Sequence, residues 1–261
     1  MTAPASPSAP EPVVLDGFHA LKHALRFGAT VERAATSDPD GLDALAAELA
    51  PDLRTRLREL VEVVDAAELR TLAPQLPHTR VVALARRPPL DPVALLAPPR
   101  DGDPRPLVLL EDPRHLGNVG AVVRVAAAAD AAGVLTTGAR DPWDRAAVRG
   151  AAGLHFALPV GRVELEDVVG AAAAGALAGG STPGGGVAPG RPLVALDPAG
   201  EPLRAAAGQL PPGAILAFGT ERHGLSDALL TCAELRLRIE MRAGVSSLNL
   251  ATAVSAVLFS T

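Results

Sequence analysis

The sequence predicts an α/β fold with a mostly parallel sheet, preceded by a smaller α/β unit. From residue 107 onward, apolar strand patterns alternate with helical patterns. The strand patterns are almost wholly apolar, as in sheets that are covered on both faces. A proline-rich stretch at residues 86–106 cannot sustain a helix or a central strand, and it separates the two parts.

The pattern divides the 261 residues into four segments. These are a mobile tail at 1–12, an α/β domain at 13–85, a semi-stiff linker at 86–106 and a larger α/β domain at 107–261. Two domains agree with the length of the chain, which is enough to bury one large core or two smaller ones.

The small domain begins with a strand and an amphipathic helix. Phe18, Leu21 and Leu25 form one face of this helix, and Gly28 is placed to end it. A second helix begins at Ser37-Asp38-Pro39 and stops near Pro51. Strands are predicted at residues 13–17, 61–65 and 80–85.

The larger domain alternates strands with helices. Strands are predicted at residues 107–111, 133–137, 155–160, 192–197, 214–219 and 235–241. Helices are predicted at residues 118–131, 145–152, 166–178, 226–233 and 247–259. Glycine and proline are concentrated at residues 179–192, which predicts a low-complexity loop.

Cysteine usage and hydropathy indicate the compartment. The single cysteine, Cys232, cannot form a disulfide within the chain, which favours a reducing environment. No apolar run approaches the roughly 18 to 20 residues of a membrane-spanning helix. The first residues lack the basic and apolar regions of a secretory signal. We therefore expect a cytoplasmic protein without a membrane partner.

The net charge of −5 argues against a general nucleic-acid coat, because non-specific binding depends on a broad basic surface. Any nucleic-acid contact must therefore be local. Five arginines lie between residues 114 and 149, namely Arg114, Arg124, Arg140, Arg145 and Arg149. The alternative is that they pair on a solvated face with nearby carboxylates, namely Asp112, Asp130, Asp141 and Asp144.

Motif one is NVGAVVR at residues 118–124, after an apolar strand and a Gly/Pro loop. Arg124 lies in an apolar run, so it needs a function or a buried partner. The alternative is an asparagine cap and an arginine that extends to water. Six helical residues turn through about 600°, so Asn118 and Arg124 can serve one site only if Asn118 lies in the loop or at the N-cap.

Motif two is AFGTERHGLS at residues 217–226. An apolar strand runs into Gly219, where a ligand could approach the backbone closely. Glu221 follows at a turn, before a helix capped by Ser226. The segment lacks the G-x-G-x-x-G spacing of a dinucleotide fold and the GK[ST] of a phosphate loop.

Motif three is IEMRAGVSSLNLA at residues 239–251. It predicts a loop at Gly244 and then a helix whose first turn holds Ser247, Leu248 and Asn249. The free N–H groups of a first turn suit polar or anionic ligand groups. The alternative is a buried helix with a simple serine cap.

Together the three motifs resemble those of the SpoU (TrmH-type) RNA 2′-O-ribose methyltransferases, which belong to the SPOUT class. The resemblance is strong over residues 107–160 and 213–259. The small domain, which opens with GFHALKHALRFG, is similar to the substrate-binding domain of many SpoU enzymes. The resemblance implies a SPOUT-type parallel sheet with a C-terminal trefoil knot, and a homodimer with its cofactor sites near the interface.

The resemblance also implies a role for each site residue. The cofactor S-adenosylmethionine would contact Gly219, Ile239, Met241 and Leu248. The catalytic residues would be Arg124, Asn118, Glu221, Ser247 and Asn249. A guanidinium stays protonated, so we expect Arg124 to act as a charge clamp on a phosphate and on the 2′ oxygen. Substrate RNA would contact Arg114 and Arg149, and no metal is expected.

The chain departs from the family pattern at a few positions. Glu240 stands where the family usually has proline, which predicts a less rigid and more acidic loop. Ala151 replaces the serine of an R-x-S-x-G block, which puts a minor contact in doubt. Thr220 and His223 stand where asparagine and glycine are frequent, and His223 is expected to be a surface turn residue rather than a base.

The implied function is methylation of a ribose 2′-hydroxyl in structured RNA, with ribosomal RNA expected ahead of transfer RNA. A resistance methyltransferase acting on one ribosomal nucleotide is a variant of this function. The alternative is a non-catalytic RNA-binding module on the same scaffold, which loss of Arg124, Ser247 or Asn249 would favour; all three are present. An α/β hydrolase is disfavoured because no G-x-S-x-G turn occurs.

Overall fold

The architecture is that of a computed structural model, which describes residues 11–98, 102–178, 190–206, 210–220 and 223–260. The chain divides into two compact units, Met1–Pro89 and Leu90–Thr261. Most of the predicted tail at residues 1–12, and most of the predicted loop at 179–192, lie outside the described residues.

The first unit is a four-stranded sheet with four helices. Its strands are β1 (Val13–Asp16), β2 (Val31–Thr36), β3 (Glu62–Val63) and β4 (Val81–Ala85). Its helices are α1 (Phe18–Arg26), α2 (Pro39–Leu49), α3 (Arg54–Leu60) and α4 (Ala66–Leu72). The spatial order is β1-β4-β2-β3, in which β4 is antiparallel to both neighbours and β3 is parallel to β2.

The predicted helical face of Phe18, Leu21 and Leu25 is buried in α1. The sequence pattern does not predict β2, α3 or α4, because β2 contains small and charged residues and the two helices are too short to show a period. A signal for α4 is nevertheless present. Asp65 accepts hydrogen bonds from two backbone N–H groups at 2.8 Å, and Glu68 occupies the capping-box position.

The second unit has one six-stranded sheet. Its strands are β5 (Leu107–Leu110), β6 (Gly133–Thr136), β7 (Val160–Arg162), β8 (Leu193–Pro202), β9 (Ile215–Phe218) and β10 (Leu235–Arg238). Its helices are α5 (Leu116–Ala128), α6 (Arg145–Gly150), α7 (Leu165–Ala178), α8 (Asp227–Cys232) and α9 (Leu250–Leu258). Every strand pair is parallel, which confirms the predicted α/β fold.

In the strand order β10-β8-β9-β5-β6-β7, successive strands are added first on one side of β5 and then on the other, so the strand order reverses at the centre of the sheet. The chain moves outward from β5 to β7 and then returns to the other side of β5. Open α/β sheets bind ligands at such a point, beyond the carboxyl ends of the strands. Motifs one and two follow β5 and β9, which are neighbours there. The trefoil knot implied by the resemblance stays a prediction.

Several predicted elements of the larger domain differ from the structure in type or extent; β8, for example, runs to Pro202 rather than to residue 197. The strand predicted at residues 155–160 is a 3₁₀ turn, Leu154–Phe156, because His155 is fully buried against Trp143 and its Nε2 contacts the Pro142 carbonyl oxygen at 2.8 Å. The last strand ends at Arg238 rather than at residue 241. The last helix begins at Leu250 rather than at residue 247.

Part of the proline-rich stretch is packed against the second unit. Residues Val93–Leu96 form a 3₁₀ turn, and Leu96 is buried in the same core cluster as Leu107 and Leu193. The buried guanidinium of Arg191 donates to the carbonyl oxygens of Leu95, Arg105 and Gly213 at 2.9, 3.3 and 2.8 Å. Burial lowers the pKa of this guanidinium. Leu96 therefore belongs to the core of the second unit, while the bounds of the linker at residues 86–106 stay a prediction.

In the described ranges, no helix combines the length and the apolar character that a bilayer crossing requires. The longest helix, α7, has 14 residues and carries Glu166 and Asp167 in its first turn. The apolar residues of the second unit instead face the sheet, as the buried cluster of Leu109, Val168 and Ile215 shows.

Helices α5 and α6 touch through their backbones at Gly120. A methyl group added at Gly120 would lie 2.2 Å from the Ala147 carbonyl oxygen and 2.9 Å from the Ala151 nitrogen. Both atoms belong to the backbone, so a side chain there must displace α6. Gly120 thus sets the distance between the motif-one helix and its neighbour.

We predict that Gly120→Ala lowers the free energy of unfolding by about 1 to 3 kcal/mol, because the added methyl overpacks a backbone contact. Gly170→Ala is the matched control, since Gly170 lies in α7 with nothing within 4 Å of the added methyl. This control should stabilise the helix by up to about 1 kcal/mol. Urea denaturation of both variants checks the prediction, and equal stability of the two would contradict it.

Candidate active site

Two adjoining pockets lie at the carboxyl ends of the central strands of the second unit. The larger has a volume of about 470 Å³, within the usual range for small-molecule sites. The smaller is lined by the loop after β5, by Asn118 and by the beginning of the motif-two turn. Gly219, Thr220 and Leu250 border both pockets, so the two cavities share one wall.

The larger cavity is lined by the residues that the resemblance assigns to the cofactor, namely Gly219, Ile239, Met241 and Leu248. Ser247 lies beside them in the same lining. Leu196, Asp197 and Phe218 from the sheet also line this cavity. The Asp197 carboxylate accepts from the Ala199 N–H at 3.1 Å and lies 3.8 Å from the Arg236 guanidinium. The cavity therefore offers apolar area together with a few polar groups, although contact with the cofactor stays a prediction.

The glycine of motif two is required by its own turn. A methyl group at Gly219 would lie 2.0 Å from the Gly224 carbonyl carbon. Thr220 and Gly224 exchange two backbone hydrogen bonds of 3.1 and 3.0 Å, which fold the turn back on itself. From the sequence, a glycine at residue 219 was expected to let a ligand approach the backbone. In the structure, the backbone of Gly224 already occupies the space that a side chain at residue 219 would need. Glu221 lies outside the described residues.

Motifs one and three meet through their asparagines. Asn249 is the N-cap of α9, where its Oδ1 accepts from the Ala251 N–H at 2.9 Å. Its Nδ2 donates to Asn118 Oδ1 at 3.2 Å. Ser247 and Leu248 precede the helix and do not form its first turn, because the cap is Asn249 and not Ser247.

Asn118 is not the N-cap of α5. The helix begins at Leu116 with His115 as its cap, so Asn118 lies within the first turn. Six helical residues then separate Asn118 from Arg124, and the two side chains leave the helix about 120° apart. Arg124 is exposed and borders neither pocket. Within one chain the structure therefore brings Asn118, Ser247 and Asn249 together but leaves Arg124 outside this group.

Three arginines near motif one are exposed and unpaired. Among the described residues, the side chains of Arg114, Arg140 and Arg149 make no ion pair and no hydrogen bond. Arg114 borders the smaller pocket, and Arg149 lies in the last turn of α6.

Three of the four carboxylates expected to neutralise these arginines make other contacts. Asp130 pairs with Arg105 at 3.2 Å. Asp144 caps α6 by accepting from the Ala146 N–H at 2.7 Å, and Asp141 accepts from the Trp143 N–H at 3.0 Å. The alternative of a solvated face of ion pairs is therefore wrong for the three arginines.

The first unit shows the opposite arrangement. Five of its arginines pair with carboxylates, namely Arg26, Arg33, Arg54, Arg58 and Arg86. Hydrogen bonds from Arg54 and Arg58 hold the pKa of Asp43 well below its usual range. These cations are thus occupied within their own unit.

Glu111 was not among the residues that the motifs indicated. It follows β5 and is 8% exposed, and its Oε2 accepts from the Ser226 N–H at 2.7 Å. It borders the smaller pocket with Arg114 and Asn118. A carboxylate that ends an apolar strand, as in LVLLE, is the signal that could have found it, because burial of a charge needs a reason.

Across the part of the chain that the structure describes, no three His, Cys, Asp or Glu side chains form a group that could bind a metal ion. His223 lies in the motif-two turn, where its backbone N–H donates to Thr220 Oγ1 at 3.1 Å, and it is exposed.

The sequence is similar to a known protein family and to characterised relatives. The model of the SpoU rRNA Methylase family matches residues 105–259. A 23S rRNA (uridine(2479)-2′-O)-methyltransferase of Streptomyces viridochromogenes is 33% identical over 159 residues, which cover 58% of this chain and 50% of that protein. The mitochondrial rRNA methyltransferase 3B of Danio rerio is 34% identical over 153 residues, covering 57% and 32%. The chain thus spans half or less of these relatives.

Solved structures agree over nearly the whole chain. The SpoU methyltransferase AviRb from Streptomyces viridochromogenes superimposes with a TM-score of 0.72 and 25% identity, covering 96% of this chain and 88% of that one. The crystal structure of AviRb in complex with AdoMet superimposes with a TM-score of 0.71 and 26% identity, covering 96% and 89%. The fold, the three motifs and the family match agree, and the chain belongs to the SpoU rRNA Methylase family.

Proposed function

We propose that the protein transfers the methyl group of S-adenosylmethionine to a ribose 2′-hydroxyl of RNA, with ribosomal RNA ahead of transfer RNA. The observation that carries this proposal is the Asn118–Asn249 hydrogen bond, which joins motifs one and three beside the cavity bounded by motif two. The similarity to a 23S rRNA 2′-O-methyltransferase of Streptomyces viridochromogenes supports the proposal. AviRb, which has the same fold, has been crystallised with AdoMet.

The larger cavity fits S-adenosylmethionine. Leu196, Ile239 and Leu248 provide apolar surface suited to a purine ring, and Asp197 provides a carboxylate for polar groups of the ligand. Gly219 and Met241 complete the set of proposed cofactor contacts. When bound, the cofactor supplies a methyl group already activated on a sulfonium, so the chain has only to position the acceptor and stabilise charge.

The acceptor ribose would occupy the junction of the two pockets, next to the shared wall of Gly219, Thr220 and Leu250. Asn118 and Asn249 would hold this ribose by hydrogen bonds, with Ser247 on the cofactor side. Glu221 stays a proposed catalytic residue on the basis of the resemblance alone.

We further propose that the protein is a homodimer and that Arg124 of one subunit completes the pocket of the other. Arg124 is exposed on the same side of α5 as Gly117 and Ala128, whose small side chains allow another chain to approach. A two-fold dimer would bring this face to a second copy. There the guanidinium would clamp a phosphate and stabilise the 2′ oxygen as it loses its proton.

The first unit, within residues 13–85, would select the RNA by its shape. Phosphate contact would come from the second unit, because Arg114, Arg140 and Arg149 are unpaired there, whereas five arginines of the first unit are paired with carboxylates. A cytoplasmic location is part of the proposal, in keeping with a single cysteine.

The function is tested by incubating the protein with radiolabelled S-adenosylmethionine and ribosomal or transfer RNA from a strain that lacks the gene. We expect label in ribosomal RNA at one alkali-resistant position. Arg124→Ala should abolish turnover while the affinity for S-adenosylmethionine changes less than about threefold. Arg86→Ala is the control, because Arg86 is exposed but paired with Glu32. Cofactor binding without label in either RNA would favour the non-catalytic RNA-binding module.

The dimer proposal is tested with two inactive variants. In a co-expressed mixture of Arg124→Ala and Asn249→Ala, each mixed dimer contains one pocket with an intact Asn249 and an intact Arg124 from the other subunit. Random pairing should restore about one quarter of the wild-type activity. No recovery in a mixture that contains mixed dimers would show that Arg124 acts within its own chain, or not at all.

A further prediction concerns the salt dependence of RNA binding. Arg114→Gln and Arg149→Gln should each reduce the slope of log K against log salt concentration by roughly 1, because each removes one phosphate contact. Arg26→Gln and Arg86→Gln are matched controls, since both arginines are paired with carboxylates. Binding titrations at several salt concentrations check this, and equal slope changes in all four variants would refute the assignment.

A further inference from the structure

Glu111 is a buried carboxylate that the proposed chemistry leaves without a role. Among the residues that the structure describes, it is the only buried Asp or Glu. It forms no ion pair with any described residue, so no cation among those residues compensates its burial. Placing an ionised group in a protein interior is unfavourable unless hydrogen bonds or function compensate.

Glu111 connects two segments that are distant in sequence. Its backbone N–H donates to the Phe218 carbonyl oxygen at 2.9 Å, which continues the pairing of β5 with β9. Its side-chain Oε2 accepts from the N–H of Ser226 at 2.7 Å. One residue therefore holds motif two at both ends, before Gly219 and after Leu225.

The segment held in this way forms part of the larger cavity. Thr220, His223, Gly224 and Leu225 all border that cavity, and Thr220 also borders the smaller pocket. The turn is closed by its own backbone hydrogen bonds between Thr220 and Gly224. Its position relative to the sheet depends on its ends, and Ser226 is the end that a side chain fixes.

We propose that Glu111 is a positioning residue for the cofactor: by fixing Ser226 it holds the turn that forms one wall of the cofactor cavity. This inference depends on the proposed function for the identity of the ligand. The hydrogen bond needs an acceptor oxygen at this position, and a carboxylate or an amide can supply it. Glu111→Gln should therefore keep the hydrogen bond to the Ser226 N–H, and Glu111→Leu should remove it.

The test measures affinity for S-adenosylmethionine by calorimetry and amide hydrogen exchange of the turn in the ligand-free protein. Glu111→Leu should weaken binding about tenfold, as expected for loss of a charge-assisted hydrogen bond, and should speed exchange in residues 217–220 and 223–226. Glu111→Gln should stay within about threefold of the wild type in affinity and keep slow exchange.

The donor can be removed independently. Ser226 has φ −66°, which proline can adopt, so Ser226→Pro deletes the N–H without changing the backbone angle. Ser226→Ala is its control, because it keeps the N–H and removes only the side-chain cap to Leu229. Ser226→Pro should lose as much affinity for S-adenosylmethionine as Glu111→Leu does, and Ser226→Ala should keep the wild-type affinity. This pair also tests the inference if Glu111→Leu fails to fold.

Thr36→Val is the control for general destabilisation. It removes a buried hydrogen bond of 2.9 Å from Thr36 Oγ1 to the Arg80 carbonyl oxygen in the first unit, and it should leave cofactor affinity unchanged. Wild-type affinity and exchange in both Glu111→Leu and Ser226→Pro would overturn the inference. So would loss of turnover in Glu111→Gln with normal affinity and exchange, which would make Glu111 a proton acceptor. A failure of the proposed function would give a different result, because the wild-type protein would then bind S-adenosylmethionine but would not methylate RNA.

Discussion

Strands β5 and β9 pair in parallel register, with Leu107 opposite Ile215 and Leu110 opposite Phe218. Because parallel strands end at the same edge of a sheet, motifs one and two leave the sheet side by side. The Glu111 N–H adds one more hydrogen bond to this pairing and carries the alignment into the site itself. The shared wall of the two pockets depends on that alignment, since Gly219 follows directly after the end of β9.

Close backbone contacts give the site its shape. Gly120 lets α5 approach α6, and Gly219 lets the motif-two turn fold onto Gly224. Neither position has room for a side chain, so each glycine is explained by packing before any ligand is considered. The asparagine pair of motifs one and three then joins α5 to the N-terminus of α9. A cavity that can accept a small ligand is thus formed largely by backbone geometry.

The distribution of charge explains how an acidic protein could bind RNA. Carboxylates in the first unit pair with five of its arginines, whereas Arg114, Arg140 and Arg149 are unpaired among the described residues. Two of the neighbouring carboxylates, Asp141 and Asp144, accept backbone N–H groups, and none of the neighbouring carboxylates that the structure describes pairs with these three arginines. The net charge of −5 is thus compatible with a local phosphate-binding surface beside the proposed site.

The sequence by itself determined the α/β fold class, since apolar strands alternate with helices, and it indicated that Asn118, Gly219, Ser247 and Asn249 belong to one site. It did not indicate that the strand predicted at residues 155–160 is a 3₁₀ turn, because the burial of His155 against Trp143 is a tertiary contact. Only the tertiary structure decided that α5 begins at Leu116, which turns Arg124 away from the pocket of its own chain, and that Glu111 contacts Ser226 across 115 residues. The spacing of apolar residues along the sequence indicates whether a segment is a helix or a strand. The residue at which a helix begins, and the partner of a buried carboxylate, depend on which distant segments pack against them.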